Sequence, residues 1–204
     1  LDKIGPVKVN SHVAKVDVII HDLDALKEAC QSLGLKLNLG QNKYKWYGRH
    51  VGDYAMPEGR TMDQLGTCEH AISIPGNSNA YEIGLVPNKD GGWNLEWDFW
   101  CGGFGLQEKV GDGCKKLLNE YAVQVAQASI NNLGWLSEKN AAGDFIIYHP
   151  SGGTLTLSAQ GVLDANGFQG QGCHEAMMAL GLPLKDLEAK PEFATVAAKV
   201  QQTI

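Results

Sequence analysis

Residues 68–100, CEHAISIPGNSNAYEIGLVPNKDGGWNLEWDFW, contain three strand-like runs separated by two turn signals. The runs CEHAISIPG (68–76), AYEIGLVPN (80–88) and WNLEWDFW (93–100) are rich in β-branched and aromatic residues, which favour strands. Pro75-Gly76-Asn77 and the segment 88–92 separate them with residues that favour tight turns. The segment therefore predicts an antiparallel meander of three strands.

The residues before the meander predict a strand, a helix and a second strand. SHVAKVDVII (11–20) is β-branched, and LKLNL (35–39) alternates apolar and polar residues. Between them, Asp22 is a good N-cap and Gly34 a good C-terminal stop for a helix with an apolar face. Residues 40–67 carry few periodic signals and predict a long loop.

The residues after the meander predict the longest helix, a hairpin and a short helix. The helix covers 105–134, where Gly111 and Gly113 weaken the first turns, and the hairpin covers 144–160. The short helix covers 172–181. The whole pattern predicts an α+β fold: an antiparallel β-sheet (meander) with two main helices packed on one face, plus a C-terminal β-hairpin–helix extension.

Length and composition are those of a globular protein. The chain has 204 residues, of which 44% are hydrophobic and 20% charged, with a formal net charge of −6. We expect an N-terminal extension over 1–10, a main domain over 11–143, a hairpin–helix segment over 144–195 and a tail over 196–204. The acidic balance argues against nucleic acid or an anionic membrane as the main partner.

The cysteines indicate a reducing compartment. The chain has five of them, an odd number, with wide spacing and no Cys-x-x-Cys pair, which disfavours both a disulfide scaffold and a zinc knuckle. No apolar run is long enough to span a bilayer, and no signal peptide is visible. We therefore expect a cytoplasmic protein and predict no cofactor and no metal.

Four segments carry a resemblance to a known family. SHVAKVDVIIHDLDALKEACQSLGL (11–35), YEIGLVPN (81–88), LEWDFW (95–100) and LLNEYAVQVAQASINNLGW (117–135) resemble, in the same order, the "hypothetical chloroplast frame thirty-five" family. That family occurs in plastids, bacteria including cyanobacteria, and phages, and its function is unknown. The resemblance implies the stroma for a plastid protein and the host cytoplasm for a phage protein.

The last third resembles a small companion family, also of unknown function. Its pattern of a hairpin, a Gly-Phe-x-Gly-x-x-Cys step, a helix and a closing Lys-Pro-Glu-Phe element matches segment 145–193. Genes of the two families are often neighbours, commonly near an AAA+ ATPase, so the resemblance implies a chain that fuses both. Asn10 stands where an initiating Met is usual, and GVLDAN (161–166) is an apparent insertion.

The stretch GFQGQGCHEAMMALG (167–181) is one candidate site. It lacks the Lys-Ser/Thr of a phosphate-binding loop and the glycine spacing of a dinucleotide fingerprint. Free N–H groups at a glycine-led helix start attract anions, so Gly170, Gly172 and Cys173 are candidate anion-binding residues. The same position would stabilise a thiolate, which makes Cys173 a candidate reactive thiol. The alternative is a turn followed by a packed cysteine.

Two residue pairs raise further chemical possibilities. Cys68 and His70 would share a strand face as half of a metal site, but further ligands would have to come from distant residues. Glu96 and Asp98 would share another strand face, either as a carboxylate pair or as the polar side of the meander. The tryptophans of 93–100 are interpreted as core residues.

The predicted loop offers a candidate interaction surface at Trp46, Tyr47 and Arg49, because such residues dominate binding hot spots. Three functions follow from the sequence. The first is a non-enzymatic accessory or adaptor protein with a protein partner, for which an AAA+ ATPase is the candidate. The second is a small-anion or nucleotide-binding protein using 167–172, and the third is a thiol-dependent enzyme or redox protein built on Cys173. The sequence does not indicate an oligomeric state.

Overall fold

The computed structural model describes residues 9–16, 19–50, 52, 55–169, 172–182 and 184–189. The chain forms two compact units. One contains Ile19–Gln124, and the other contains the described residues up to Val16 and from Val125 onwards. The predicted α+β class is confirmed, with antiparallel sheets and α-helices in the described residues.

The unit formed by Ile19–Gln124 contains the predicted meander as a four-stranded antiparallel sheet. Its strands are β2 (Lys36–Asn38), β3 (His70–Ser73), β4 (Ile83–Pro87) and β5 (Trp93–Glu96), and they pair in that order. Strand β4 is buried over four consecutive residues. The helices of this unit are α1, α2 and the first part of α3. The helix bounds are α1 Leu23–Ser32, α2 Leu106–Val110 and α3 Lys115–Leu133.

Helix α1 begins and ends where the sequence predicts. The side chain of Asp22 accepts a hydrogen bond from the backbone N–H of Ala25 at 2.9 Å, and Gly34 follows the helix with a φ of 67°. The helix packs against α3. The hydroxyl oxygen of Tyr121 on α3 accepts hydrogen bonds from the backbone N–H groups of His21 and Asp22, at 3.0 and 3.1 Å. It therefore satisfies donors that the first turn of a helix leaves free.

The helix predicted over 105–134 is two helices, α2 and α3, separated by a turn at 111–114. Gly111, Gly113 and Cys114 have φ values of 76°, 58° and 59°, which lie in the left-handed region. A right-handed helix cannot continue through such residues, and glycine adopts them at little cost. The two glycines therefore end α2 rather than weakening one long helix.

The other unit contains a six-stranded antiparallel sheet with strand order β10-β1-β9-β8-β7-β6. The predicted N-terminal strand and the predicted hairpin, β7 paired with β8, are confirmed here. The segment interpreted as an insertion, 161–166, lies mostly in strand β9, which pairs with both β1 and β8. The bounds are β1 Val9–Val16, β6 Leu136–Lys139, β7 Phe145–Tyr148, β8 Thr154–Leu157, β9 Val162–Gln169, α4 Gly172–Ala179 and β10 Leu184–Ala189.

The sequence predicts a domain boundary between residues 143 and 144, and this stays a prediction. The boundary between the two compact units lies elsewhere, within α3, between Gln124 and Val125. The predicted tail over 196–204 lies outside the described residues.

Candidate functional site

An aromatic pocket of about 530 Å³ lies in the unit formed by Ile19–Gln124. One wall is β5 with the residues that follow it, and the other is the long loop between β2 and β3. Most of the lining side chains are aromatic or aliphatic, and two are carboxylates. The lining residues are Tyr44, Trp46, Ala55, Pro57, Leu65 and the six consecutive residues Leu95, Glu96, Trp97, Asp98, Phe99 and Trp100.

The first carboxylate, Glu96, is neutralised by an arginine from the loop. Arg60 Nε lies 2.8 Å from Glu96 Oε1 as an ion pair without hydrogen-bond alignment, and Arg60 Nη2 donates to Glu96 Oε2 at 3.2 Å. The two side chains are 12% and 9% exposed. Tyr44 donates its hydroxyl to Glu96 Oε2 at 3.1 Å, and burial together with the Glu96 charge raises the pKa of Tyr44. The hydroxyl therefore stays a donor at neutral pH.

Arg60 also holds the loop in place. Its Nη2 lies 2.6 Å from the carbonyl oxygen of Gln64 and 2.8 Å from that of Thr67. One guanidinium thus joins the loop backbone to the end of β5, because the two N–H groups of Nη2 are shared among these carbonyl oxygens and Glu96 Oε2. The ion pair with Glu96 is therefore a structural part of the pocket wall.

The second carboxylate, Asp98, has a different environment. It is 9% exposed, and its two oxygens accept backbone N–H groups from Tyr47, at 3.1 Å, and from Trp100, at 2.8 Å. Among the described residues of this unit, no cationic side chain forms an ion pair with it. Glu96 and Asp98 thus share the pocket, one paired with an arginine and the other held by N–H groups.

A row of aromatic rings continues from the pocket to its rim. The centroid of Tyr47 lies 5.2 Å from that of Trp100, and Trp100 lies 5.8 Å from Phe104. Phe104 in turn lies 5.2 Å from Tyr81 in an edge-to-face arrangement. Tyr47, Trp100 and Phe104 remain 43%, 51% and 42% exposed, so the row presents apolar surface to solvent. These spacings are those of favourable aromatic pairs.

A left-handed turn positions the rim of the pocket. Cys101, Gly102, Gly103 and Phe104 have φ values of 49°, 65°, 58° and 53°. Cys101 and Phe104 carry a Cβ, so each costs about 1–2 kcal/mol in this conformation. Four consecutive residues of this kind coil the chain into about one left-handed turn after Trp100, which places Phe104 beside it. Strained backbone of this sort concentrates at functional sites.

Two glycines let aromatic rings approach the backbone closely beside the pocket. A Cβ added to Gly66 would lie 2.3 Å from Trp46 Nε1, and one added to Gly84 would lie 2.3 Å from Tyr44 Cδ1. Gly66 also has a φ of 81°. Close approach of an aromatic ring to the main chain requires residues without a side chain at these two positions.

The candidate surface from the sequence maps onto this pocket in part. Trp46 lines the pocket, and Tyr47 belongs to the exposed row. Arg49 is exposed and is not among the lining residues. Glu96 and Asp98, interpreted as either a carboxylate pair or a polar face, are both buried in the pocket wall. Trp97 and Trp100 line it as well, whereas the sequence interpretation placed them in the core.

Sequence reasoning missed Tyr44, Arg60 and the turn that follows Trp100. The signal for the turn is CGGFG at 101–105, where three glycines directly follow a tryptophan-rich strand. No local pattern marks Arg60, because its partner Glu96 lies 36 residues away.

The glycine-led stretch that opens α4 contains a buried cysteine. Gly172 begins the helix, Cys173 is fully buried, and Gly170 lies outside the described residues. The anion-binding and thiol roles of these three residues stay predictions. Full burial is the environment expected of a packed cysteine, because a reactive thiol needs partial exposure.

Cys68 and His70 are engaged in contacts within their own unit. The Cys68 thiol donates to the carbonyl oxygen of Gln41 at 3.1 Å, and burial, with the nearby Glu82 charge, raises its pKa to about 11. His70 Nδ1 accepts the backbone N–H of Gly40 at 3.0 Å. Among the described residues, no group of three His, Cys, Asp or Glu side chains could hold a metal ion.

Comparison with family models, curated proteins and solved structures finds no match for this chain. The resemblance to the hypothetical chloroplast frame thirty-five family and to its companion therefore stays a prediction based on the quoted segments. None of the helices that the structure describes has the length and apolar character needed to cross a bilayer.

Proposed function

We propose that this chain is a non-enzymatic accessory protein that binds a partner protein through the aromatic pocket and its exposed rim. The observation that supports the proposal is the row Tyr47, Trp100 and Phe104, which remains 42% to 51% exposed beside a pocket of about 530 Å³. Tryptophan and tyrosine dominate the energetics of protein interfaces, especially where they border a pocket. Contiguous apolar surface of this kind marks interaction sites.

The composition of the pocket supports binding rather than catalysis. Its ionisable groups are engaged in holding the wall together, Glu96 with Arg60 and Asp98 with two backbone N–H groups. A nucleophile beside a general base would be expected in an acyl-transfer or hydrolytic site. Among the residues that the structure describes, the lining of this pocket includes no serine, cysteine, histidine or lysine.

The family resemblance supports an AAA+ ATPase as the class of partner to test first, because genes of the similar families commonly lie near one. The direct experiment measures the affinity of this chain for the AAA+ ATPase encoded nearest to its gene. Biolayer interferometry with the immobilised full-length chain gives that affinity, with and without ATP.

A matched pair of variants locates the interface. Tyr47 and Tyr148 are 43% and 42% exposed, and Tyr148 belongs to the other unit. We expect Tyr47→Ala to weaken binding at least about tenfold, as loss of an interface hot spot does, and Tyr148→Ala to leave it unchanged. Equal affinity for both variants would place the interface elsewhere. Absence of binding by the unmodified chain would remove the AAA+ ATPase as the partner.

A further inference from the structure

We infer that the aromatic pocket accepts a basic side chain of the partner, with arginine as the better fit. The inference rests on the proposed function and specifies the chemistry of the group that enters the pocket. Two properties of the pocket carry it: the tryptophan rings that line it and the carboxylate of Asp98 in its wall.

The aromatic lining is suited to a cation. Trp46, Trp97 and Trp100 all line the pocket, together with Phe99. The face of an indole ring attracts a guanidinium or ammonium group more strongly than do the faces of the other aromatic side chains. A guanidinium is also planar and weakly hydrated, so it stacks on such rings and enters an apolar pocket at lower cost than an ammonium group.

The charges in the wall favour the same ligand. The charge of Glu96 is balanced by Arg60, whereas Asp98 has no cationic partner among the described residues of this unit. Asp98 is 9% exposed, and each of its oxygens accepts one backbone N–H, which leaves further lone pairs. A buried carboxylate is costly unless it is compensated, and a cation entering the pocket would supply that compensation.

The same charges disfavour other occupants. A phosphate or carboxylate group would meet the Asp98 charge at short range, which disfavours nucleotides and acidic peptides. The net charge of −6 makes the long-range field attractive to a basic partner segment. A purely aliphatic side chain would fill the aromatic space but leave Asp98 uncompensated.

The test compares a cation with its neutral isostere. N-acetyl-arginine methylamide and N-acetyl-citrulline methylamide have nearly the same shape but differ in charge. Each is titrated into the full-length chain while the tryptophan indole N–H signals are followed by NMR. The signals of Trp46, Trp97 and Trp100 report on the pocket, and those of Trp93 and Trp135, which do not line it, serve as internal references.

We expect the arginine compound to shift the three pocket signals and to bind at least about tenfold more tightly than the citrulline compound. Equal affinities, or shifts spread equally over all five tryptophans, would overturn the inference. If the arginine compound fails to bind while Tyr47→Ala still weakens binding of the ATPase, the inference fails and the proposed function stands.

A variant separates the contribution of the Asp98 charge from that of the aromatic lining. Asp98→Asn removes the charge while keeping one acceptor oxygen, and we expect it to weaken arginine binding about tenfold with little effect on citrulline. Asp90→Asn is the matched control, because it makes the same change in net charge at an exposed residue that is not in the pocket lining. If Asp98→Asn does not fold, the comparison of the two compounds on the unmodified chain still decides the inference.

Discussion

The ion pair between Arg60 and Glu96 offers the sharpest test of how the pocket wall is built. Two unit charges about 4 Å apart attract by about 4 kcal/mol at an effective dielectric constant near 20. Both side chains are largely buried, at 12% and 9% exposure, so removing one leaves the other as an uncompensated charge. We therefore expect Arg60→Met and Glu96→Gln each to lower the free energy of unfolding by about 3–5 kcal/mol.

The double variant should cost about as much as either single variant, because neither charge is then left alone. The corresponding coupling energy is about 3–5 kcal/mol, at or above the upper end of the range of about 0.5–3 kcal/mol observed for residues in direct contact. Arg60→Met also loses the hydrogen bonds to Gln64 and Thr67, but this loss occurs with and without Glu96 and cancels in the cycle.

Urea unfolding followed by tryptophan fluorescence measures these free energies. Four of the five tryptophans, at positions 46, 93, 97 and 100, lie in the unit that contains the ion pair, so the signal reports mainly on that unit. Single variants that each lose less than about 1 kcal/mol would show that the pair behaves as an exposed surface pair. Losses that simply add in the double variant would show that the two charges do not interact. Either result would refute the reasoning.

Three further predictions concern the surrounding fold. Gly66→Ala should lower the free energy of unfolding by about 1–3 kcal/mol more than Gly76→Ala does. Both glycines have a positive φ, 81° and 75°, but only Gly66 lies against the Trp46 ring. Urea unfolding of both variants measures the difference, and equal losses would contradict the prediction. Tyr121→Phe should cost about 1–3 kcal/mol in the same assay, since two backbone N–H groups at the start of α1 lose their acceptor, and an unchanged free energy would count against this role. Burial raises the pKa of the Cys30 thiol from 9.0 to about 12, so the folded state keeps a proton that the unfolded state loses above pH 9. The free energy of unfolding therefore falls as the pH rises from 9 to 12. Cys30→Ala should make this pH dependence shallower by about 1.4 kcal/mol per pH unit, as measured by urea denaturation across the range. An unchanged pH dependence would exclude Cys30 as a cause.

Local sequence signals predicted the elements of the fold better than their arrangement. The cap at Asp22, the stop at Gly34 and the turn at 75–77 depend on residues within a few positions of each other, and each lies where the sequence places it. Strand partners depend on residues far apart in the chain. Strand β1 pairs with β9 and β10, more than 140 residues later, and no pattern within β1 specifies that choice.

The same distinction explains what was predicted of the pocket. The sequence indicates Trp46 and Tyr47 because such residues dominate binding hot spots, and both lie at the pocket or its exposed rim. Glu96 and Asp98 stood out by their spacing, but their burial depends on Arg60 and on N–H groups of the loop, which only the folded chain brings near. Cys173 stood out by its neighbours in sequence, yet the structure buries it completely.

Several features that cost free energy of folding lie close together at the pocket. Cys101 and Phe104 hold left-handed conformations at about 1–2 kcal/mol each, and Phe104 and Trp100 expose apolar surface directly beside them. Asp98 adds a buried charge without a cationic partner among the described residues of its unit. The strain and the exposed rings do not stabilise the folded chain, and the Asp98 carboxylate holds two backbone N–H groups without a balancing charge. In the proposed site all three would contribute to binding: the strain orients the rings, the rings supply contact area, and the carboxylate selects a cation. The proposed binding site for a basic partner segment would account for their coincidence in one short segment, 98–104.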